Sequence, residues 1–232
     1  MSIGTPFANK GSQRWLQIAV DRAPHVLNAP IAEALGLSAG DTITWLSPRR
    51  DDRFNEYRDG AALAKCGISP KLRPLTDFWP KRGPVWDGLA RTSGGEAVLV
   101  EAKAHIPELV SPRSRASEPA LGKIAASMRS VQKALAPQSV DVVDWTGTFY
   151  QYANRIAHLY FLREDNGEHV HLVNIYFVNA PDVAPTSRAE WEGALKVVEC
   201  YLGVGRHRLS KYMHKIFIET AQLIGLDQQG RA

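Results

Sequence analysis

Glu101 and Lys103 stand one residue apart at the end of an apolar run, in the stretch VLVEAKAH at residues 98–105. The run has the length and composition of a buried β-strand. Side chains alternate between the two faces of a strand at about 3.3 Å per residue, so Glu101 and Lys103 share one face, about 7 Å apart. The alternate positions form a second, wholly apolar face made of Val98, Val100 and Ala102. This pattern predicts a strand with the core on one face and a polar site on the other.

A third charged residue, Asp87, lies in the upstream stretch PVWDGLART at residues 84–92. The intervening SGG is typical of a β-hairpin turn. A two-residue turn would point Asp87 toward the apolar face, whereas a three-residue loop would set it opposite Glu101 and a five-residue loop opposite Lys103. Bringing the three charges together therefore requires an odd-numbered loop or a β-bulge.

Two carboxylates and a lysine on one sheet face have a recognised chemical use. Carboxylate oxygens are hard ligands that hold Mg²⁺ or Mn²⁺, with waters completing the shell. A bound divalent cation lowers the pKa of a water molecule and offsets charge on a phosphoryl group. A neighbouring lysine can orient the water or stabilise the phosphoryl oxygens in the transition state.

The rest of the chain supplies alternating helical and strand patterns. Helices are predicted for residues 14–36, in two pieces separated at Pro24, and for residues 51–67, 122–136, 145–164 and 188–203. Strands are predicted for residues 42–46, 84–92, 96–105, 170–178 and 215–220. Residues 106–120 form a polar surface loop. This order is typical of an α/β or α+β fold, a mixed β-sheet flanked by helices, with an N-terminal helical extension.

Composition excludes several classes of protein. Of the 232 residues, 44% are hydrophobic and 22% are charged, as in ordinary globular proteins. There is no run of about 18 apolar residues and no apolar stretch typical of a secretory signal, so we expect a cytoplasmic protein without membrane contact. Cys66 and Cys200 are too few for a disulfide framework or a thiolate metal site. The net charge of +4 is compatible with binding nucleic acid.

Asp87 and the later Glu101-Ala102-Lys103, with 13 residues between the two acids, resemble the motif of the PD-(D/E)XK nuclease superfamily. In that motif the first acid lies on the second core strand and the E-x-K on the third. Pro84-Val85-Trp86-Asp87 departs from the adjacent Pro-Asp of the motif's name. The resemblance implies a restriction-endonuclease-like fold whose core is helix, three strands, helix and strand.

The resemblance also implies a set of site residues. Asp87 and Glu101 would bind Mg²⁺ or Mn²⁺ together with the backbone carbonyl of Ala102, and Lys103 would position the attacking water. Family members often carry a further acid on the first helix, and Glu56 is the best match. An acid there is also explained by the helix dipole, and Glu101 and Lys103 could equally be an exposed pair at a strand end.

Some members of the superfamily place a glutamine and a tyrosine on a later helix near the metal. The matching residues in FYQYANR are Gln151 and Tyr152, followed by Asn154 and Arg155, although Gln151 could be an ordinary polar residue of a helix face. Contacts with nucleic acid are expected from His105, Arg113, Arg115 and Arg155. His105 shares the face of Lys103 if the strand continues, and a structural histidine at the strand end is the alternative.

These observations predict three segments of one compact domain. Residues 1–49 are the N-terminal helical extension, residues 50–180 the catalytic core, and residues 181–232 a C-terminal helix and strand packed on that core. The predicted function is a Mg²⁺- or Mn²⁺-dependent nuclease, with DNA as the preferred substrate. The alternatives are a non-catalytic nucleic-acid-binding or assembly module with the same fold and, less favoured, a phosphohydrolase of small nucleotides. Cleavage of both strands of a duplex would favour a homodimer.

Overall fold

Seven β-strands and seven helices make up the computed structural model, which describes residues 6–112, 114 and 116–226. The strands are β1 (Ile43–Ser47), β2 (Tyr57–Arg58), β3 (Val85–Trp86), β4 (Gly88–Thr92), β5 (Ala97–Lys103), β6 (Val170–Val178) and β7 (Met213–Glu219). The helices are α1 (Gly11–Arg22), α2 (Pro24–Leu35), α3 (Asp59–Lys65), α4 (Leu75–Phe78), α5 (Glu118–Leu135), α6 (Tyr150–Tyr160) and α7 (Arg188–Leu202). No helix within the described ranges is long and apolar enough to cross a membrane.

Five of the strands form one mixed sheet in the order β1-β4-β5-β6-β7. The pairs β1–β4 and β4–β5 are antiparallel, whereas β6 runs parallel to both β5 and β7. The short strands β2 and β3 pair separately. The predicted mixed sheet flanked by helices is therefore confirmed.

The sheet separates two apolar layers. Val98, Val100 and Ala102 on β5 are fully buried in the layer that α1 and α2 cover. Leu99 points into the opposite layer, which is built with residues of α5, α6 and α7. All nine residues of β6 are buried because helices cover both of its faces.

The N-terminal segment is part of this architecture and not an extension of it. Helices α1 and α2 provide one complete covering layer, and β1 pairs with β4 inside the main sheet. At the other end of the chain, β7 pairs with β6. The expected boundaries at residues 50 and 180 therefore fall within a single sheet.

The β4–β5 hairpin has the predicted odd-numbered loop. Leu89 pairs with Leu99, and the amide of Thr92 donates to the carbonyl of Glu96 at 3.0 Å, leaving three residues, 93–95, in the loop. Gly95 adopts a φ of 88°, a backbone conformation that glycine adopts without strain. The last pair of the ladder is Gly88 with Val100, so Asp87 follows beside the Glu101 end of β5.

The predicted helix over residues 51–67 is wrong in its first half. A short 3-10 turn at Arg50–Asp52 is followed by two residues with positive φ, Arg53 and Phe54, and an α-helix cannot continue through them. Phe54 is buried, with its ring centroid 5.3 Å from that of Phe7. This contact between distant parts of the chain outweighs local helix propensity. The helix, α3, begins only at Asp59, so Glu56 lies on an extended segment.

The predicted helix over residues 145–164 is also shorter than expected. Residues 145–149 form turns, and Phe149 has a φ of 63°, so α6 begins at Tyr150. A wider π-helical turn at Phe161–Asp165 follows its C-terminus. The start of α6 is thereby aligned with the end of β5, where the site is found.

Helix α7 begins with a complete capping box. The Ser187 hydroxyl accepts a hydrogen bond from the amide of Glu190, and the Glu190 carboxylate accepts one from the amide of Ser187 at 2.7 Å. We expect Ser187→Ala to lower the free energy of unfolding by about 1 kcal/mol in urea denaturation. Ser117, which precedes α5 without a side-chain capping bond, is the matched control. Ser117→Ala should change stability by less than about 0.5 kcal/mol, and equal losses would contradict the prediction.

Candidate active site

Asp87 lies at a bend where the predicted strand 84–92 divides in two. The first part, β3, pairs with β2, and the second part, β4, joins the main sheet. Next to the bend β5 has no strand partner on the β4 side, and the Asp87 carboxylate takes that place. Its Oδ2 accepts a hydrogen bond from the amide of Ala102 at 2.7 Å. This bond holds Asp87 against the Glu101-Ala102-Lys103 segment.

Glu101 is a buried carboxylate held between two cations. Its side chain is 6% exposed, and Oε1 forms a hydrogen-bonded ion pair with the Lys103 ammonium. Its Oε2 accepts a hydrogen bond from Nε of Arg155, on α6, at 2.6 Å. Glu101 and Lys103 are therefore not an exposed pair at a strand end.

Arg155 connects α6 to both strands of the site. Besides Glu101, its guanidinium donates to the carbonyl of Val85 at 2.7 Å and to Oδ1 of Asn154 at 3.0 Å. It also lies 4.7 Å from the ring centroid of Trp86. The side chain is 3% exposed, so the expected contact of Arg155 with a nucleic-acid phosphate is replaced by a buried contact with Glu101.

The acids of this cluster differ in protonation. Burial raises the pKa of Asp87 to about 7, and the charge of Glu101 adds to the effect, against the opposing influence of Lys103 and Arg155. Burial alone would also raise the pKa of Glu101, but Arg155 and Lys103 outweigh it and hold that pKa below its ordinary value. The pKa of Lys103 is raised because its two acidic neighbours outweigh the effect of burial. At neutral pH, Glu101 and Lys103 are charged and Asp87 is partly protonated.

A cleft of about 860 Å³ opens onto the cluster. Asp87 and Arg155 line its deep end, the segment 80–85 forms one side, and Ser111, Pro112 and Ser117 lie on the other. Of the cluster, Asp87 and Arg155 line this cleft, whereas Glu101 and Lys103 line a separate small cavity.

Glu56 also lines the cleft, although it lies on the extended segment before β2 and not on a helix. Its Oε1 accepts a hydrogen bond from Nε2 of Gln13 on α1 at 2.9 Å. Burial raises the pKa of Glu56, and the charge of Glu101 contributes in the same direction. Glu56 therefore belongs to the electrostatic surroundings of Glu101, as expected, but reaches it from a different element.

Gln151 and Tyr152 both line a cavity of about 10 Å³ beside Glu101 and Lys103, which has room for about one water molecule. Gln151 lines the cleft as well. The Tyr152 hydroxyl donates a hydrogen bond to Glu199 at 3.0 Å. The structure thus brings both residues to the cluster, with the Tyr152 hydroxyl bonded to Glu199.

Of the other residues expected to contact nucleic acid, His105 does not line the cleft. His105 lines a separate depression, where its Nε2 lies 3.5 Å from Oε1 of Glu108. Its Nδ1 is buried without a hydrogen-bond partner within the described part of the chain. Arg113 and Arg115 lie outside the described residues.

The donor atoms of the cluster suit a hard divalent cation. Asp87 and Glu101 supply carboxylate oxygens, and the carbonyl of Ala102 points to the same side of β5 as the amide that Asp87 binds. Three acids, with Glu56 included, face two cations, so the fully ionised cluster has an excess of negative charge. No three His, Cys, Asp or Glu side chains of residues 6–112, 114 and 116–226 form a ready-made metal site.

Arg155 is the component whose role was not foreseen. The sequence places it four residues after Gln151, on the same side of a helix, which is the signal that could have assigned both to one site. Local spacing could not identify the partner of Arg155, because Glu101 is 54 residues away in the sequence. The exposed pair Lys81 and Arg82 also lines the cleft, and neither residue was assigned to the site from the sequence.

Removing Arg155 should strongly destabilise the protein. Arg155→Met leaves Glu101 buried without its guanidinium, and we expect a loss of about 3–5 kcal/mol in urea denaturation. The control is Arg129→Met, which breaks the exposed pair with Asp141 and should cost at most about 1 kcal/mol. Adding Glu101→Gln to Arg155→Met should recover part of the loss, and a loss no larger than that of the control would contradict a buried ion pair.

Asp87 should make stability depend on pH. Because its folded-state pKa of about 7 exceeds the ordinary value of 3.8, the folded protein keeps a proton that the unfolded chain releases, and this contribution to stability is lost as pH rises from about 4 to 7. Relative to wild type, Asp87→Asn should therefore become more stable across that window, measured by urea denaturation in a metal chelator. Asp141→Asn, at an exposed position, should show no such trend. Parallel pH profiles for wild type and Asp87→Asn would refute the shift.

Comparison of the chain with protein-family models, with curated protein sequences and with solved structures found no significant match. The assignment of a function therefore depends on the geometry of the cleft and of the charged cluster at its deep end.

Proposed function

We propose that this protein is a Mg²⁺- or Mn²⁺-dependent nuclease with a restriction-endonuclease-like fold of the PD-(D/E)XK type, acting on DNA. One observation carries the proposal. The Asp87 carboxylate binds the amide of Ala102, so the first acid lies directly against the Glu101 and Lys103 of the E-x-K segment at the end of an open cleft.

The order of elements supports the proposed fold. Strands β1, β4 and β5 form an antiparallel series, helices α5 and α6 follow, and β6 returns parallel to β5. This order is similar to the three strands, helix and strand that the resemblance implies, although two helices precede β6. Asp87 lies directly before β4 and Glu101 on β5. The preceding helix is α2 and not the segment 51–67, so the proposed core begins before residue 50.

Asp87, Glu101 and the carbonyl of Ala102 would hold the cation, with Glu56 nearby. A bound divalent cation would lower the pKa of a water molecule and offset the charge of the scissile phosphate. Lys103 supplies a buried ammonium with three donor hydrogens, of which one serves Glu101. The others are available to orient a water molecule or to stabilise developing charge on the phosphate oxygens. Arg155 keeps the Glu101 carboxylate ionised and in place.

The second candidate is a non-catalytic nucleic-acid-binding module. It is favoured by the state of Glu101, since both of its oxygens already have a cationic partner and a metal ion would have to compete with them. Titration with Mn²⁺ followed by thermal unfolding separates the two. A nuclease should gain about 5 °C or more in melting temperature at saturating metal, whereas a binding module should gain nothing.

The nuclease proposal also predicts a division of roles between Asp87 and Lys103. Asp87→Asn removes a ligand charge, so Mn²⁺ affinity and DNA cleavage should both fall. Lys103→Met removes a positive charge from beside the cation, so Mn²⁺ affinity should hold or rise while the cleavage rate falls by about 10²-fold or more, roughly 2.7 kcal/mol. Isothermal titration and single-turnover cleavage measure the two quantities.

The control for Lys103→Met is Lys196→Met. Lys196 is exposed on α7, so this variant should cleave DNA at the wild-type rate. A folded Lys103→Met variant with wild-type cleavage would show that the lysine takes no part in the reaction. If wild type cleaves no nucleic acid with Mg²⁺ or Mn²⁺, the binding module becomes the better assignment.

A further inference from the structure

We propose that the cleft binds single-stranded nucleic acid, with Lys81 and Arg82 contacting its phosphates and Tyr150 stacking on a base. The inference rests on the proposed function for its assignment of nucleic acid as the ligand. It goes further by naming the form of the substrate and the residues that hold it outside the charged cluster.

Lys81 and Arg82 are exposed cations at one side of the cleft. In the described part of the chain, neither side chain forms an ion pair with an acid. The cleft leads from these residues to Asp87 at its deep end. Unpaired basic side chains beside a recessed acidic site are suited to the phosphates that flank a scissile bond.

The loop that carries these cations is held in one conformation. The Asp59 carboxylate accepts hydrogen bonds from the amides of Arg82 at 2.9 Å and Gly83 at 2.8 Å. A Cβ atom at Gly83 would lie 2.6 Å from Oδ1 of Asp59 and would have to displace the carboxylate that holds the loop. Buried Trp79 anchors the start of the loop. Because the backbone is fixed, the two side chains project from a defined position at the cleft mouth, which lowers the entropy cost of binding.

Tyr150 supplies the aromatic component. It is the first residue of α6 and is half-buried. It lines the same cleft as Lys81 and Arg82. Proteins that bind single strands combine a basic groove along the backbone with aromatic side chains on which bases stack. A base in an intact duplex is already stacked on its neighbours and is not available to Tyr150.

The dimensions of the cleft favour a single strand over a duplex. Its volume of about 860 Å³ lies within the range of about 300–1,000 Å³ found for small-molecule sites, which suits a few linked nucleotides. Asp87 lines the cleft, whereas the neighbouring Glu101 is only 5% exposed and does not line it, so a scissile phosphate must enter between the two sides of the cleft to reach Asp87. A flexible strand can do so without bending a rigid double helix.

Binding can be tested separately from cleavage. The probe is a short fluorescent single-stranded DNA oligonucleotide, compared with the same sequence in a duplex, and anisotropy is measured with the full chain at several salt concentrations in a metal chelator. We expect tighter binding of the single strand. Lys81→Ala/Arg82→Ala should weaken it about tenfold or more at about 0.1 M salt and reduce the salt slope by about 1.4, the value for two lost contacts with a single strand.

The control is Lys133→Ala/Lys196→Ala, which removes two exposed charges outside the cleft and should leave affinity and slope close to wild type. Tyr150→Ala should weaken binding about fivefold or more, and Tyr150→Phe should restore it because the ring is kept. Circular dichroism checks that each variant is folded. If Tyr150→Phe loses as much affinity for the oligonucleotide as Tyr150→Ala, the stacking role is overturned.

Equal or tighter binding of the duplex would overturn the preference for a single strand. If Lys81→Ala/Arg82→Ala binds like the control, or if the oligonucleotide does not bind at all, the site is refuted. These outcomes are distinct from failure of the proposed function. A protein that binds the single strand through these residues but does not cleave it in Mg²⁺ or Mn²⁺ supports the inference and refutes the nuclease.

Discussion

The buried carboxylate of Glu101 is the constraint on which the site depends. A charge removed from water on a central strand is strongly unfavourable unless cations and hydrogen bonds surround it. Lys103 from the same strand and Arg155 from α6 meet this requirement. Because Arg155 also binds the carbonyl of Val85, one guanidinium determines the relative positions of α6, β5 and the bend that carries Asp87. The geometry of the cleft follows from the need to neutralise one acid.

The same arrangement sets the stability of Glu101 against its availability to a metal ion. The cations that stabilise Glu101 would compete with a metal ion for its oxygens. Within the described residues, Asp87 forms no ion pair with a cation, and burial together with the charge of Glu101 raises its pKa to about 7. A divalent cation would relieve this repulsion and a proton relieves it in part. The cluster is therefore stable without being electrostatically neutral, as is common at functional sites.

The alternation of apolar and polar residues was sufficient to predict elements whose structure depends on neighbouring residues. The alternation of β5 separated the apolar face from Glu101 and Lys103, whereas the hairpin spacing left three loop lengths open, of which the structure has the three-residue loop. Residues 51–67 were mispredicted because burial of Phe54 against Phe7 breaks a locally favourable helix. The role of Arg155 was missed for a related reason, since its partner is far away in sequence. In both cases a contact between distant residues decided the outcome, and no local periodicity encodes it.

Helix α1 contacts both the core and the cleft. It covers the apolar face of β5 behind the site, and its Gln13 reaches the carboxylate of Glu56 on the cleft side. The residues that would perform chemistry and those that support them are therefore interleaved along the chain instead of forming a separable block. Such a site is poorly suited to transfer as a cassette between unrelated proteins. Recombination that exchanged residues 50–180 alone would leave behind both edge strands, a covering layer and a partner of one cleft acid, so the heritable unit that keeps this site intact extends across the whole sheet.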